Sequence, residues 1–163
     1  MEIVSASYED IADIVELYQQ IVQFQDQMGQ SQWKQSDVTW DALTEIYSLE
    51  HFYIARMQGE IIGACIIADY DPIYWPKTPR HESLYIHKLA VHEDWRKHGV
   101  GEAFLEFFKQ EGRRRGLDEV RLDVRAYKDK LRSFYERNGF TLVRIASIFD
   151  DYDTALYHAR WED

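Results

Sequence analysis

The sequence predicts a fold of the α/β class, in which strands and helices alternate within one domain spanning residues 1–163. The main observation is the segment 84–101, where an apolar, β-branched run passes through a charged turn into a helical pattern. A second is the alternation of apolar and charged residues over 120–125, which predicts a strand with one buried face. A third is the three- and four-residue spacing of apolar side chains over 11–22, which predicts an amphipathic helix. A chain of 163 residues is long enough to bury one sizeable core.

The first part of the chain predicts a strand, two helices and a hairpin. Ser7 and Asp10 have the spacing of a capping box, which predicts that a helix begins directly after them. Gln58 and Gly59 supply turn chemistry typical of a hairpin. Cys65 lies among aliphatic residues and is interpreted as a small buried hydrophobe. In order, the predicted elements are a strand over 2–6, a helix over 11–22, a loop or broken helix over 24–36, a short helix from Asp37 or Thr39 to Tyr47 with Trp40, Leu43 and Ile46 facing inward, and strands over 52–56 and 61–67.

The second part predicts a strand, two helices and three further strands. The helix that starts near Val100 is expected to end at the basic triplet 113–115 and Gly116, because cations and then glycine favour a helix C-terminus. In order, the predicted elements are a proline-stiffened loop over 71–81, a strand over 84–91, this helix, a strand over 120–125, a short helix containing Leu131, Phe134 and Tyr135 that ends at Asn138 and Gly139, and a strand pair over 140–149 and 154–161.

Cysteine usage and the N-terminal residues favour a cytoplasmic protein. The single cysteine cannot form an internal disulfide, which is typical of a reducing compartment. The residues that follow Met1 lack the basic region and apolar stretch of a secretory signal. No apolar run approaches the length of about 20 residues that spans a bilayer. The sequence therefore predicts a cytoplasmic location and no membrane partner.

The excess of acidic residues over basic ones limits the kinds of partner that the protein can bind. A formal net charge of −10 argues against general nucleic-acid binding, which needs a basic face that displaces counterions. The same charge is compatible with a cationic acceptor such as an amine, although acidity that only maintains solubility explains it as well. The six histidines are scattered, without the paired spacing of a zinc site, so no metal is predicted.

The segment between Arg96 and Gly101 lies where a strand passes into a helix N-terminus. The first amides of a helix have no partner inside it, and the helix dipole makes that end partly positive. Gly99 and Gly101 carry no Cβ, so a phosphate can approach the backbone, and Arg96, Lys97 and His98 add side-chain donors. The pattern indicates a pyrophosphate site, and a Gly99 that only terminates a turn fits the loop equally well. The phosphate-binding patterns G-x-x-x-x-G-K-[ST] and G-x-G-x-x-G with a ribose-binding acid are both absent.

Two blocks of the sequence together resemble the GNAT superfamily of N-acetyltransferases. The first is Leu89-Ala90-Val91 followed, after a short acidic turn, by Arg96-Lys97-His98-Gly99-Val100-Gly101, which is similar to the family's acetyl-CoA signature, L-A-V and then [QR]-x-x-G-x-[GA]. The second is Leu122-Asp123-Val124-Arg125-Ala126 followed by Phe134-Tyr135-Glu136-Arg137-Asn138-Gly139-Phe140. The resemblance implies a single-domain GNAT fold, with a mixed central sheet of about six to seven strands, flanking helices and a splayed, V-shaped opening between the two middle strands.

The resemblance implies acetyl-CoA as co-substrate and direct attack of a primary amine on its thioester. It implies that the backbones of Leu89 and Val91 bind the pantetheine arm, and that a bulge near Leu89 turns a backbone N–H toward the thioester carbonyl oxygen. The amides from Lys97 to Gly101, with Arg96, would take the pyrophosphate. The full implied cofactor-binding set is Leu89, Ala90, Val91, Arg96, Lys97, His98, Gly99, Val100, Gly101, Glu102 and Lys128.

The resemblance also implies catalytic roles. Tyr135 matches the tyrosine that often protonates the departing thiolate in this family; a core tyrosine with its hydroxyl at the surface is the alternative. His87 is the candidate general base, because it precedes Leu89 by two residues and a pKa of about 6.5 suits deprotonation of an amine through water. A cross-strand polar partner on a solvated sheet face is the alternative for His87. Glu82 and Glu93 are carboxylate alternatives for the base.

Three hypotheses about function remain open on the sequence. The first is an N-acetyltransferase acting on a small-molecule amine or a protein amino group. The second is a non-catalytic acetyl-CoA-binding regulatory module of the same fold, because Lys128 stands where the family often has an asparagine. The third, from the pattern alone, is a nucleotide-binding α/β domain, which Tyr135 and the L-A-V strand end disfavour. The resemblance implies that the acceptor contacts residues 25–40 and residues 70–80 of the chain. Relatives in this family often form homodimers, so a homodimer is possible here as well.

Overall fold

The computed structural model describes residues 1–161, so residues 162 and 163 of the predicted domain lie outside the described residues. Its strands are β1 (Glu2–Ser5), β2 (Phe52–Met57), β3 (Glu60–Ala68), β4 (Leu84–Val91), β5 (Glu119–Arg125), β6 (Thr141–Ala146) and β7 (Thr154–Arg160). Its α-helices are α1 (Ile11–Gln27), α2 (Trp40–Leu43), α3 (Val100–Arg114) and α4 (Asp129–Arg137). The strands form one seven-stranded sheet in the order β1-β2-β3-β4-β5-β7-β6, which confirms the predicted fold class. Across residues 1–161, no helix is both long and apolar enough to cross a membrane.

The residues group into two compact units. The first unit comprises Met1–Ile66 and Lys88–Phe104, and the second comprises Ile67–His87 and the residues from Leu105 onward. The boundary along β4 therefore falls between His87 and Lys88.

In the first unit, β1, β2 and β3 are joined as antiparallel neighbours. The β2–β3 hairpin closes at the pair Met57 and Glu60, and both turn residues are left-handed, with φ of 54° at Gln58 and 81° at Gly59. Such a turn matches the twist of the flanking strands, and it confirms the predicted hairpin. Cys65 is fully buried on β3, as predicted, and burial raises the pKa of its thiol.

A close approach at Gly63 fixes β3 against the start of α3 in the first unit. A Cβ at this position would lie 2.7 Å from Phe104 Cε2, 3.1 Å from the carbonyl oxygen of Ala90 and 3.2 Å from Val100 Cγ1. These distances are shorter than ordinary van der Waals contact, so only glycine fits. The missing side chain lets the first turn of α3 lie directly against the sheet.

The N-terminal helices differ in length from the prediction. The carboxylate of Asp10 accepts a hydrogen bond from Ser7 N at 2.8 Å, as the capping box predicts, but α1 continues to Gln27. Of the two alternatives predicted for 24–36, a loop or a broken helix, the loop is wrong for residues 24–27, because a glutamine-rich segment propagates a helix well until Gly29 takes a φ of 68°. The second helix is only one turn, Trp40–Leu43, and Ile46 is 39% exposed, contrary to the prediction.

In the second unit, β5 pairs with β4 in parallel over Leu84–Ile86 and with β7 in antiparallel along its whole length. Val120, Leu122 and Val124 are buried and their neighbours on β5 are half-buried, as the alternation predicts. The last strand pair is shorter than predicted, because β6 ends at Ala146.

Candidate active site

A left-handed residue interrupts the extended backbone of β4. Lys88 has a φ of 53°, which a non-glycine residue rarely adopts, and it stands directly before Leu89, where the bulge is expected. The fully buried phenol of Tyr18 donates a hydrogen bond to the carbonyl oxygen of Lys88 at 2.6 Å. The Lys88 ammonium lies 5.2 Å from the ring centroid of Trp33, which in turn packs edge-on against Tyr18. A helix side chain thus holds the strand in this conformation.

The loop that enters α3 has the backbone expected of an anion site. Lys97 and Gly99 are left-handed, with φ of 63° and 79°, and Ala103 N donates to the carbonyl oxygen of Gly99 at 3.0 Å as the first bond of the helix. The amides of Val100, Gly101 and Glu102 therefore precede the intrahelical ladder. Because these amides lie at the positive end of a 15-residue helix, a phosphate beside Gly99 would meet donors and a favourable dipole.

The predicted cofactor-binding residues divide between the two units. Residues 89–102 lie in the first unit, where the side chains of Arg96, Lys97 and His98 are exposed. The Arg96 guanidinium lies 5.4 Å from the ring centroid of Phe24. Lys128 lies in the second unit, where its carbonyl oxygen accepts the first hydrogen bond of α4 from Arg132 N at 2.9 Å.

His87 lies between two carboxylates in the second unit. Its Nε2 is 3.7 Å from Asp71 Oδ2, and its Nδ1 is 3.6 Å from Asp123 Oδ2. The imidazole is 17% exposed, whereas Glu82 and Glu93, the other candidates for the base, are exposed. A proton on either ring nitrogen of His87 would therefore face a carboxylate oxygen.

Tyr135 is buried on α4 in the second unit. Its ring packs against those of Phe134 and Phe140, with centroid distances of 5.5 Å and 6.2 Å. Burial, and then repulsion between a phenolate and the carboxylate of Asp123, raise the pKa of Tyr135 well above its ordinary value of 10.0. The hydroxyl is therefore fully protonated at neutral pH, which a proton donor requires.

The cluster around His87 includes Asp71, which the sequence places in the expected acceptor segment 70–80 but does not connect with His87. Asp71 follows β3, His87 lies on β4 and Asp123 lies on β5, so no short spacing in the sequence connects the three. The neighbouring Asp69 belongs to a different arrangement, since it accepts from Arg80 Nη2 at 2.9 Å and lies 2.7 Å from His81 Nδ1. The sequence indicated for Asp71 only that it lies in the segment expected to contact the acceptor, and gave no sign of its proximity to His87 and Asp123.

Comparison with protein families gives a match over most of the chain. The model of the acetyltransferase (GNAT) family matches residues 11–140. The uncharacterized N-acetyltransferase YesJ of Bacillus subtilis (strain 168) is 26% identical over 146 residues, which cover 85% of this chain and 80% of that protein.

Solved structures share the fold. An acetyltransferase of the GNAT family from Listeria monocytogenes 4b F2365 has a TM-score of 0.79 at 19% identity, covering 98% of this chain and 94% of its own. The structure of yncA from Salmonella typhimurium with its cofactor acetyl-CoA has a TM-score of 0.72 at 16% identity, covering 100% of this chain and 95% of its own. At identities this low, the TM-scores show a common architecture and nothing further.

Proposed function

Because the chain belongs to the acetyltransferase (GNAT) family, we propose that this acetyltransferase moves the acetyl group of acetyl-CoA to a primary amine by direct attack. The observation that carries the proposal is the loop before α3, where left-handed Lys97 and Gly99 precede a helix N-terminus whose first amides come before the intrahelical ladder. The likeness to yncA, whose structure contains acetyl-CoA, supports the same cofactor here.

The backbone from Lys97 to Glu102, with the side chains of Arg96, Lys97 and His98, would bind the diphosphate of coenzyme A. Negative charge at this position gains both amide hydrogen bonds and the helix dipole. The pantetheine arm would bind along Leu89, Ala90 and Val91 by backbone hydrogen bonds, as an added strand does. Lys128 stands where the family often has asparagine, and its ammonium would donate a hydrogen bond to the cofactor.

The left-handed Lys88 gives the catalytic backbone its geometry. Because Lys88 breaks the alternation of β4, the amide of Leu89 leaves the regular ladder direction and is proposed to donate to the thioester carbonyl oxygen. That oxygen gains negative charge as the amine attacks, so a donor fixed in advance stabilises the transition state more than the ground state.

His87 is proposed as the general base and Tyr135 as the general acid. The acceptor arrives as an ammonium ion and must lose a proton before its nitrogen can attack. His87, with carboxylates on both sides, would accept that proton through water, and the charged imidazolium would then face Asp71 and Asp123. Tyr135, protonated at neutral pH, would stabilise and protonate the departing thiolate.

The proposed acceptor class is an amine of a small molecule or of a protein. Several acidic side chains in the second unit are already engaged; Asp69, for example, binds Arg80 and His81. Asp71 and Asp123 leave the field around His87 negative, which favours a cationic acceptor over an anionic one.

The central experiment measures acetyl-CoA affinity in two matched glycine variants. Gly99 and Gly116 stand before and after α3 with φ of 79° and 76°, so valine is strained to the same degree at both positions. Gly99→Val should weaken acetyl-CoA binding at least about tenfold by blocking the approach of the diphosphate. Gly116→Val should lose stability and keep its affinity. Equal affinities in calorimetry would contradict the proposed cofactor site.

A second experiment tests the acid. With an acceptor found by thiol release from a panel of polyamines, aminoglycosides and peptides, Tyr135→Phe should lower kcat about 10²-fold and leave acetyl-CoA affinity unchanged. Tyr157→Phe is the control, because Tyr157 is another buried phenol, which donates to Glu136 at 2.7 Å. An unchanged kcat in Tyr135→Phe would remove Tyr135 from the mechanism.

A further inference from the structure

The cluster of Asp71, His87 and Asp123 has the donor set of a metal site. One ligand atom from each residue can be chosen so that all three lie within 4.8 Å of one another. A tetrahedral ion with bonds of about 2.1 Å holds its ligand atoms about 3.4 Å apart. Binding one ion therefore requires rotations of His87 and Asp123, whose side chains are 17% and 22% exposed.

Asp71 provides a second and independent observation. Its Oδ1 accepts hydrogen bonds from Ile73 N at 2.9 Å and Tyr74 N at 3.1 Å, which fix the carboxylate. The side chain is only 1% exposed, and its Oδ2 receives no hydrogen bond from any of residues 1–161. A buried carboxylate oxygen without a donor is destabilising, and a cation at this position would satisfy it. The backbone thus orients the carboxylate as outer-shell bonds orient a metal ligand.

We propose that Asp71, His87 and Asp123 bind a divalent transition-metal ion of the zinc class, and that this ion inhibits acetyl transfer by occupying the imidazole nitrogen of His87. The inhibitory part rests on the proposed function, because it requires His87 to be the base. A nitrogen that coordinates a metal ion cannot accept a proton from the acceptor amine.

The chemistry of the three donors selects the class of ion. An imidazole with two carboxylates suits zinc, manganese and related ions, whereas magnesium and calcium prefer oxygen ligands alone. Three protein ligands leave a fourth position for water. The surroundings are also anionic, because the carboxylates of Asp71 and Asp123 lie on either side of the His87 imidazole and repel each other. A divalent cation would relieve this repulsion.

Calorimetric titration of chelator-treated protein with Zn²⁺ tests binding directly and needs no acceptor. We expect one site per chain and at least about tenfold weaker binding in Asp71→Asn, whose amide oxygen still accepts from Ile73 N and Tyr74 N. His81→Asn is the matched control, because His81 is an exposed histidine beside a carboxylate, 2.7 Å from Asp69. Equal titrations of the wild type and Asp71→Asn, loss of binding in His81→Asn, or equal binding of Mg²⁺ and Zn²⁺ would each overturn the site.

Inhibition is measured separately, as acetylated amine detected by mass spectrometry, because free coenzyme A itself binds zinc. Zn²⁺ should inhibit the wild type at the concentration that fills the site, and Asp71→Asn should need at least about tenfold more. Binding without inhibition would overturn the inhibitory part. Failure of the proposed function differs from both outcomes, because it would appear as no acetyl transfer in the presence of chelator.

Discussion

The hydrogen bond between Tyr18 and Lys88 should control the geometry of β4, and Tyr18→Phe removes it without changing the shape of the core. The phenol is fully buried and its oxygen lies 2.6 Å from the carbonyl oxygen of Lys88. Loss of a buried hydrogen bond lowers the free energy of unfolding by about 1–3 kcal/mol, which for a domain of this size lowers the Tm by about 2–10 °C.

Tyr18→Phe should also lower kcat, through a change in the backbone of β4 and not through the loss of stability. Lys88 is held with a φ of 53°, and without the phenol its backbone can relax toward the extended conformation of a regular strand. The amide of Leu89, which we propose as the donor to the thioester oxygen, would then change direction. Since removal of an oxyanion donor lowers kcat by about 10²–10³-fold, a misaligned donor should lower it by about tenfold.

The assay compares kcat and the unfolding midpoint of Tyr18→Phe with those of Tyr157→Phe. Tyr157 is also fully buried, donates to Glu136 at 2.7 Å and accepts from Arg132 Nε at 2.9 Å. Both variants should lose stability, and only Tyr18→Phe should lose kcat. If the two variants lose stability alike and both keep kcat, the argument that Tyr18 sets the catalytic backbone is refuted.

Substitutions at three further positions test the packing, backbone conformation and electrostatics of the fold. Gly63→Ala should lower the free energy of unfolding by about 1–3 kcal/mol in a denaturant titration, because its methyl group would overlap Phe104; an unchanged midpoint would contradict the close approach. Lys88→Gly should keep acetyl-CoA affinity. In a denaturant titration, Lys88→Val should have a free energy of unfolding about 1–2 kcal/mol below that of Lys88→Gly, because valine is strained at a φ of 53°. A more stable Lys88→Val would contradict a left-handed residue at this position. Glu111→Gln should lose about 1 kcal/mol at pH 7, because hydrogen bonds from Arg114 lower the pKa of Glu111 below 4.5. That difference should be present above pH 4.5 and vanish as the pH falls through the lowered pKa, so a constant difference down to pH 2 would contradict it.

The sequence predicts the elements whose signal is local. The alternation of Val120, Leu122 and Val124 identifies β5, and the pair Gln58 and Gly59 identifies the β2–β3 turn, because both depend on neighbouring residues alone. The C-terminal extension of α1 was missed, since the glutamines of 24–27 carry no apolar periodicity although they favour helix.

The candidate site is only partly predictable for a different reason. The loop before α3 is continuous in the chain, so its glycines and cations are visible in the sequence. The side chains that contact β4 cannot be predicted in this way, because Tyr18 lies 70 residues from Lys88, and because Asp71 and Asp123 come from the loop after β3 and from β5. Contacts of this separation depend on the topology of the sheet, which no local pattern encodes.

Backbone strain supports the proposed site by observations that do not depend on any family resemblance. Among residues 1–161 the non-glycine residues with left-handed φ are Gln58, His81, Lys88 and Lys97. Gln58 is explained by the turn it forms, and His81 lies in an exposed loop beside Asp69. Lys88 lies within a strand and Lys97 within a loop before a helix, where extended or helical backbone would be less strained by about 1–2 kcal/mol each. Strain of this kind persists where surrounding contacts enforce it, and it is concentrated at functional sites. The two strained lysines flank residues 89–96, the segment proposed to bind the pantetheine arm and to lead into the diphosphate loop. The backbone is therefore held in a destabilising conformation at both ends of that segment.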